Sequence, residues 1–109
     1  MQNYFVNSEI PAKTVAPGVT RKVIAHNDNL MVCELTFEVG AVGALHEHFH
    51  DQCSYVVSGK MEFEIGDQKK IMGPGDSTCK QPHIIHGGVC IEKAVILDIF
   101  APAREDFLD

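Results

Sequence analysis

The chain has 109 residues, of which 15 are acidic and nine are basic, and its formal charge is −6. Because it contains no basic run, it has no electrostatic basis for binding nucleic acid or an anionic membrane surface. No apolar run reaches membrane-spanning length, and the first residues lack the pattern of a signal peptide, which predicts a cytoplasmic protein. The length predicts one domain over residues 1–109, since two independent cores would need a longer chain.

The four cysteines match no familiar motif. Cys33, Cys53, Cys79 and Cys90 include no C-x-x-C pair, which argues against a zinc finger or a thioredoxin-type site. Without an export signal, we expect these thiols to be reduced and mostly buried.

Short extended segments separated by turns are predicted along the chain. β-branched, aromatic or alternating segments cover residues 19–25, 30–39, 53–58, 61–65, 69–72 and 93–101. Asn27, Asp28 and Asn29 predict a turn, and Gly59 with Lys60 predicts a hairpin between two of these strands. Turn signals at a spacing of roughly 8–12 residues are typical of an all-β sandwich or barrel.

Three histidines alternate in His46-Glu47-His48-Phe49-His50, and Gln52 follows them. Residues i and i+2 of a strand share a face, so His46 and His48 can direct two imidazoles at one divalent metal ion. On a helix this spacing would turn them about 200° apart, and we therefore expect the motif on a strand. The alternative is a pair of surface histidines. His50 has the same parity, but a turn before Gln52 is expected to rotate it away, toward substrate or the surface.

Asp98 lies inside the apolar segment 93–101, where a charge without a partner is costly. Alternation places Asp98 and Phe100 on one face. Two interpretations stay open: an aspartate satisfied by backbone or a neighbouring lysine, or a general acid or base beside a cation.

The histidine stretch and a later segment around His86 resemble the two sequence motifs of the cupin superfamily. The first motif, a Gly, His-x-His, a Gln or Glu and a second Gly at fixed spacings, is matched by Gly40, His46, His48, Gln52 and Gly59. The second is matched by Gly75, Pro82 and His86, with Ile84 and Cys90 at positions where many members have Gly and Asn. The resemblance implies an antiparallel jelly-roll β-barrel.

The resemblance also implies a divalent metal held by His46, His48, Gln52 and His86. Zn, Ni, Fe, Mn and Co all suit such a set. Gln52 is neutral, so the site would be one charge more positive than with Glu, which favours Lewis-acid chemistry over a path that uses a carboxylate ligand as base.

Residues 27–31, the His-x-His-x-His-x-Gln variant and residues 98–107 narrow the resemblance to the small cupins of pectin and uronate breakdown, the KdgF family. That family converts a 4,5-unsaturated monouronate to its linear keto form with a metal and an Asp, a Phe and an Arg. These would be Asp98, Phe100 and Arg104, which the resemblance implies as proton-transfer group, ring-stacking aromatic and carboxylate anchor. A core aromatic and a surface arginine neutralised by Glu105 and Asp106 are the alternatives for the last two.

Three functions remain open at this point. The first is a metal-dependent enzyme that acts on a small acidic sugar. The second is a non-haem metal dioxygenase, which three histidines with open coordination positions would permit. The third is a non-catalytic cupin that binds a sugar or a metal. We expect a homodimer in each case, because a small open sheet leaves exposed edges.

Overall fold

The computed structural model describes residues 2–108, so Met1 and Asp109 of the predicted domain lie outside the described residues. The described chain is almost entirely β-structure, as the turn spacing predicts. Its strands are β1 (Lys13–Ala16), β2 (Val19–His26), β3 (Met31–Phe37), β4 (Val42–His46), β5 (Asp51–Ile65), β6 (Gln68–Met72), β7 (Ser77–Lys80) and β8 (His86–Ala101). Short 3-10 turns lie at Asn7–Glu9 and Glu105–Phe107. No helix in the described part of the chain is long and apolar enough to cross a membrane.

The strands form an antiparallel jelly roll around two long central strands. The sheet order is β1-β2-β3-β8-β5-β6, with β4 added to β8 and β7 added to β5. β5 and β8 pair along their whole length, from Asp51 opposite Ala101 to Ile65 opposite His86. One half of this ribbon is flanked by β3 and β7, and the other by β4 and β6. The predicted jelly-roll fold is therefore confirmed, as an open sheet in which two strands belong to both halves.

The hairpin predicted at Gly59 and Lys60 is wrong, because β5 runs through both residues without reversing. The register against β8 shifts three times between Val56 and Met61, which marks an irregular, bulged pairing. Gly59 adopts φ +80, and a Cβ there would lie 2.1 Å from the carbonyl oxygen of Lys93. The same glycine that indicates a turn in the sequence here serves a bulge, where the partner backbone comes too close for a side chain.

Alternation along β5 separates an inner face from an outer one. Gln52, Ser54 and Val56 are buried, whereas Cys53 and Tyr55 between them are exposed. The buried apolar residues fall into two clusters, one around Phe37, Val56 and Met61 and the other around Met31, Cys33 and Phe100. The polar residues Gln52 and Ser54 therefore belong to the inner face, and their presence there calls for partners.

The prediction that the thiols are mostly buried is right for two of them. Cys33 and Cys90 are buried, while Cys53 and Cys79 are exposed. Cys53 follows the alternation of β5, so its outward position comes from strand parity and not from its apolar character.

Candidate metal centre and cavity

Three histidines converge at one end of the sheet. His46 ends β4 and lies directly opposite His86, the first residue of β8. The ring centroids of His46 and His86 are 4.3 Å apart, and those of His48 and His86 are 4.8 Å apart. One ring nitrogen from each of the three histidines lies within 4.8 Å of the others.

The motif occupies a strand only in part, because β4 ends at His46 and residues 47–50 form a loop. The expectation of a strand through His48 is therefore wrong. The rings of His46 and His48 nevertheless converge, with centroids 5.6 Å apart. The loop is held in place by backbone and side-chain bonds, among them the amide of His83, which donates to the carbonyl of His48 at 2.8 Å.

The tautomer of each histidine is set by a backbone carbonyl. Nδ1 of His46, His48 and His86 lies 2.8, 3.1 and 2.9 Å from the carbonyl oxygens of residues 44, 50 and 84. A carbonyl can only accept, so Nδ1 carries the proton and donates, and in a neutral imidazole this places the lone pair on Nε2. This is the usual way in which proteins orient imidazole ligands toward a metal.

Two observations indicate that a cation fits among these lone pairs. Nε2 of His86 is buried and has no hydrogen-bond partner in the described chain, a costly arrangement for a polar atom unless it serves as a ligand. Nε2 of His48 and Oε1 of Gln52 are 2.9 Å apart, and in this tautomer both are acceptors, so a shared cation would relieve their repulsion.

Burial keeps His86 in the neutral form that a metal requires. Loss of solvent lowers the pKa of His86 to about 4, against a hydrogen bond to Ile84 that raises it, and His46, Lys80 and His48 add to the lowering. The imidazole is therefore unprotonated near neutral pH.

Gln52 is oriented by a hydroxyl. Its Nε2 donates to Oγ of Ser54 at 3.2 Å, which turns Oε1 toward the histidines. Gln52 lies opposite Phe100 on β8 and Lys80 on β7, so the carboxamide, the aromatic ring and the lysine are positioned by one row of the sheet.

Asp98 shares this network. Ser54 lies opposite Asp98, and its hydroxyl donates to Oδ1 of Asp98 at 2.6 Å. The ammonium of Lys80 in turn donates to Oγ of Ser54 at 2.7 Å and to Oγ1 of Thr78 at 2.8 Å. Asp98 is thus satisfied by the hydroxyl of Ser54, with the buried ammonium of Lys80 behind it, and not by backbone or directly by a lysine as the structural interpretation expected.

Lys80 and Ser54 are functional candidates that the sequence did not indicate. Lys80 is only 2% exposed, and burial lowers its pKa, while the charge of Asp98 acts in the opposite direction. Lysine is rarely buried without a partner. The shared parity of Thr78 and Lys80 was the available signal, but only the pairing of β7 with β5 reveals the partners.

Arg104 is held by its own neighbour and by two aromatic rings. Its Nε and one terminal nitrogen donate to the two carboxylate oxygens of Asp106 at 3.0 and 2.8 Å. Its guanidinium carbon lies 5.1 Å from the ring centre of Phe100 and 4.2 Å from that of Phe107. A second guanidinium, that of Arg21, also lies near the ring of Phe107, with its carbon 3.6 Å from the ring centre. One edge of Arg104 is therefore already engaged by a carboxylate.

His50 does not have the surface position that was one of its two predicted roles. It is 6% exposed, and its ring stacks on Phe49 with centroids 3.9 Å apart. Burial, then the charges of Arg104 and His48, lower its pKa. His50 is not among the three clustered histidines, and its carbonyl instead orients His48.

A cavity of about 420 Å³ joins these groups, a volume in the range of small-ligand pockets. Its wall combines apolar residues with a small polar set, which is Arg21, His46, Gln52, Ser54, Lys80, His86, Asp98 and Arg104. Phe100 also lines it. The side chains predicted for catalysis therefore open into the same space as the predicted ligands His46, Gln52 and His86.

Comparison with known proteins identifies the family. Residues 33–100 match the family described as Cupin domain. The chain is 38% identical over 110 residues to the pectin degradation protein KdgF of Dickeya dadantii (strain 3937), covering 99% of this chain and 100% of that protein. The chain belongs to the KdgF family of cupins.

Solved structures of similar cupins have the same fold. KdgF from Halomonas sp. is 39% identical with a TM-score of 0.93, covering 96% of this KdgF-family chain and 99% of the other. An RmlC-like cupin from Shewanella frigidimarina NCIMB 400 is 34% identical with a TM-score of 0.94, covering 98% and 96% of the two chains. This KdgF-family cupin therefore shares its fold with both structures over nearly the whole of each chain.

Proposed function

We propose that this KdgF-family cupin is a metal-dependent enzyme that opens a 4,5-unsaturated monouronate to its linear keto form. One observation carries the proposal: Asp98 and Arg104 line the same cavity as His46 and His86 of the histidine cluster. A surface arginine and a merely structural aspartate would not need to share that space. The membership in a family named for pectin degradation supports a sugar acid as the substrate.

The proposed ligands are His46, His48, Gln52 and His86. A divalent metal ion held by them would supply Lewis acidity toward a substrate oxygen. Because all four side chains are neutral, the full charge of the ion would act on the substrate, and no ligand would compete with Asp98 as a base.

The reaction needs proton transfer and no redox change. Ring opening removes a proton from the anomeric hydroxyl, breaks the bond between the anomeric carbon and the ring oxygen, and leaves an aldehyde and an enolate, and the enolate becomes a ketone when the other carbon of the former double bond gains a proton. We assign both transfers to Asp98, which would take the first proton and deliver the second. The Ser54 hydroxyl, bonded to Asp98 at 2.6 Å, holds the carboxylate in place.

Arg104 would bind the carboxylate of the substrate. The pair with Asp106 fixes the guanidinium plane through Nε and one terminal nitrogen, and the second terminal nitrogen is not part of that pair. Phe100 lines the cavity beneath Arg104 and would add an apolar contact to the sugar, although the residue is only 3% exposed and belongs to the core cluster with Met31 and Cys33, as the core-aromatic alternative predicts.

The test is to mix metal-loaded protein with unsaturated galacturonate under argon and follow the linear product by NMR. Ring opening is an isomerisation, so it proceeds without O₂, whereas a dioxygenase would be inactive. Asp98→Asn should lower kcat about 10²–10⁴-fold, and Asp67→Asn, in the exposed turn after β5, is the matched control. No acceleration over buffer by the wild-type protein would refute the uronate assignment.

We also propose that residues 1–109 function as one cupin domain, in the cytoplasm, and as a homodimer. The edges of the sheet at β1 and β6 support association, because unpaired strand edges favour pairing. Light scattering is the measurement, with twice the 12.0 kDa of one chain as the expected mass. A mass of one chain at micromolar concentration would refute the dimer.

A further inference from the structure

Two cysteines face each other on the outer surface of the sheet, on the opposite face from the cavity. Cys53 on β5 and Cys79 on β7 are directly paired across the two antiparallel strands. Both are exposed free thiols, in contrast to the buried Cys33 and Cys90. Nothing in the proposed reaction uses this pair.

Cys53 and Cys79 occupy the kind of position in an antiparallel strand pair where the two backbones are closest. The amide of Val56 donates to the carbonyl of Asp76 at 2.9 Å, in the same register as the pairs that follow. The pattern repeats every two residues, so Ser54 with Thr78 is a hydrogen-bonded pair, and Cys53 with Cys79 is the non-hydrogen-bonded pair beside it. In such pairs the Cα atoms are about 4.5 Å apart, inside the roughly 4.4–6.8 Å range of disulfides.

The side chains of the pair lie on the same side of the two strands. Both thiols are exposed on the outer face, and the side chains of a non-hydrogen-bonded pair lie closer together than those of the hydrogen-bonded pairs beside it. A peroxide can therefore reach either sulfur, and the other sulfur is near enough to complete a disulfide.

We propose that Cys53 and Cys79 are a reactive dithiol site, which a peroxide oxidises to a reversible intramolecular disulfide. The thiolate of one cysteine attacks a peroxide oxygen, the O–O bond breaks, and a sulfenic acid and water are formed. The second thiol then attacks the sulfenic sulfur, the S–S bond forms and a second water leaves. The two sulfurs together lose two electrons and two protons, and hydrogen peroxide is reduced to two waters.

The disulfide would lie directly behind the polar network of the cavity. Gln52 and Ser54, the neighbours of Cys53, point inward from β5, and Lys80, the neighbour of Cys79, points inward from β7. The covalent link would thus join the two strands that carry the bond between Lys80 and Ser54. Oxidation of the outer pair would therefore restrain the two strands that position Lys80 and Ser54, and no group would enter the cavity.

The experiment is to treat the full-length, reduced protein with a small excess of hydrogen peroxide, alkylate remaining thiols and measure the intact mass and the peptide map. We expect the intact mass of a single chain to fall by about 2 Da before alkylation. In the peptide map, Cys53 and Cys79 should escape alkylation and appear in one disulfide-linked pair of peptides. Dithiothreitol should restore both thiols.

Two variants provide the controls. Cys79→Ser should lose the intramolecular disulfide completely, while Cys90→Ser, which removes a buried thiol, should keep it at the wild-type rate. Circular dichroism of each variant confirms that it is folded. Three results would each overturn the proposal: no loss of thiols, a disulfide only between separate chains, or sulfinic acid at one cysteine with the other unreacted.

Discussion

At the scale of single residues, Ser54 connects the two halves of the proposed chemistry. Its hydroxyl accepts from Gln52 and Lys80 and donates to Asp98. One oxygen atom therefore orients a proposed metal ligand and a proposed base, with a buried ammonium behind it. Hydrogen-bonding partners of this kind fix both the direction and the basicity of the groups they support.

Ser54→Ala should lower kcat/KM by about 10–100-fold, the usual cost of removing a supporting hydrogen bond at a metal site. Asp98 would lose its donor and Gln52 its orientation, while the three histidines would remain. The control is Ser58→Ala, an exposed serine in the same strand. Metal content measured on the same samples separates the two effects, and a variant with wild-type kcat per bound metal would contradict the role of Ser54 toward Asp98.

Cys33 gives a prediction about alkaline stability. Cys33 lies on β3, directly opposite Asp98 on β8. Burial, followed by the charge of Asp98, raises the pKa of Cys33 to about 12. The unfolded thiol ionises near pH 8.5. Stability from the neutral buried thiol is therefore complete below pH 8.5 and is lost as the pH rises toward 12, because only the unfolded state releases the proton.

We expect Cys33→Ala to remove part of this alkaline loss. At about 1.4 kcal/mol per pH unit, the wild-type protein should lose about 2 kcal/mol more than the variant between pH 8 and pH 10. Urea unfolding in the presence of a reductant measures the difference, and Ser58→Ala, at an exposed position of β5, is the control. Equal losses in wild type and Cys33→Ala would contradict the raised pKa.

At the scale of elements, the long strands β5 and β8 connect the core to the site. Each pairs with different neighbours along its two halves, so a local change in one strand affects both halves of the sheet. The irregular pairing around Gly59 is where the register changes. The sequence located this glycine correctly, but it could not distinguish a bulge from a hairpin, since both favour Gly at positive φ.

Gly59→Ala should destabilise the fold much more than Gly75→Ala. Both glycines have positive φ, +80 and +88, but a Cβ at Gly75 meets nothing within 4 Å, whereas one at Gly59 lies 2.1 Å from the carbonyl of Lys93. The shared conformational strain costs roughly 1–2 kcal/mol, and the overlap at Gly59 adds about 1–3 kcal/mol. Urea unfolding gives the two values, and equal losses would contradict the close approach of β5 and β8.

At the scale of the whole molecule, the proposed ligands come from four different segments. His46 ends β4, His48 lies in the following loop, Gln52 is on β5 and His86 begins β8. A metal ion bound to all four would link strands that the unfolded chain does not hold together, and ligands that bind only the folded state stabilise it by mass action.

Addition of Ni²⁺, Zn²⁺ or Mn²⁺ to metal-stripped protein should therefore raise Tm. At 100 times Kd the stabilisation is about 2.7 kcal/mol, which corresponds to a rise of about 10 °C or more in a domain of this size. His86→Ala should abolish the rise, and His26→Ala, at a histidine on β2 outside the cluster, should keep it. The same rise in both variants would contradict the proposed ligands.

The sequence by itself determined the fold class and the family, and it supplied the candidate residues of the site. Alternation with frequent turn residues predicts strands wherever one face is buried. The spacing of His46, His48 and Gln52 predicts that these three side chains share one site. These signals are local, so they can be recognised without knowing which strands pair in the sheet.

Only the tertiary structure decided which side chains meet. The pairing of β7 with β5 brings Lys80 to Ser54, and it brings Cys79 to Cys53 on the opposite face. The pairing of β4 with β8 brings His86 to His46 across forty residues of chain. No local pattern encodes these contacts, because strand partners depend on how the whole sheet buries its apolar face. For the same reason, the histidine spacing indicated a metal site, whereas its connection to Asp98 through Ser54 and the buried Lys80 emerged only from the fold.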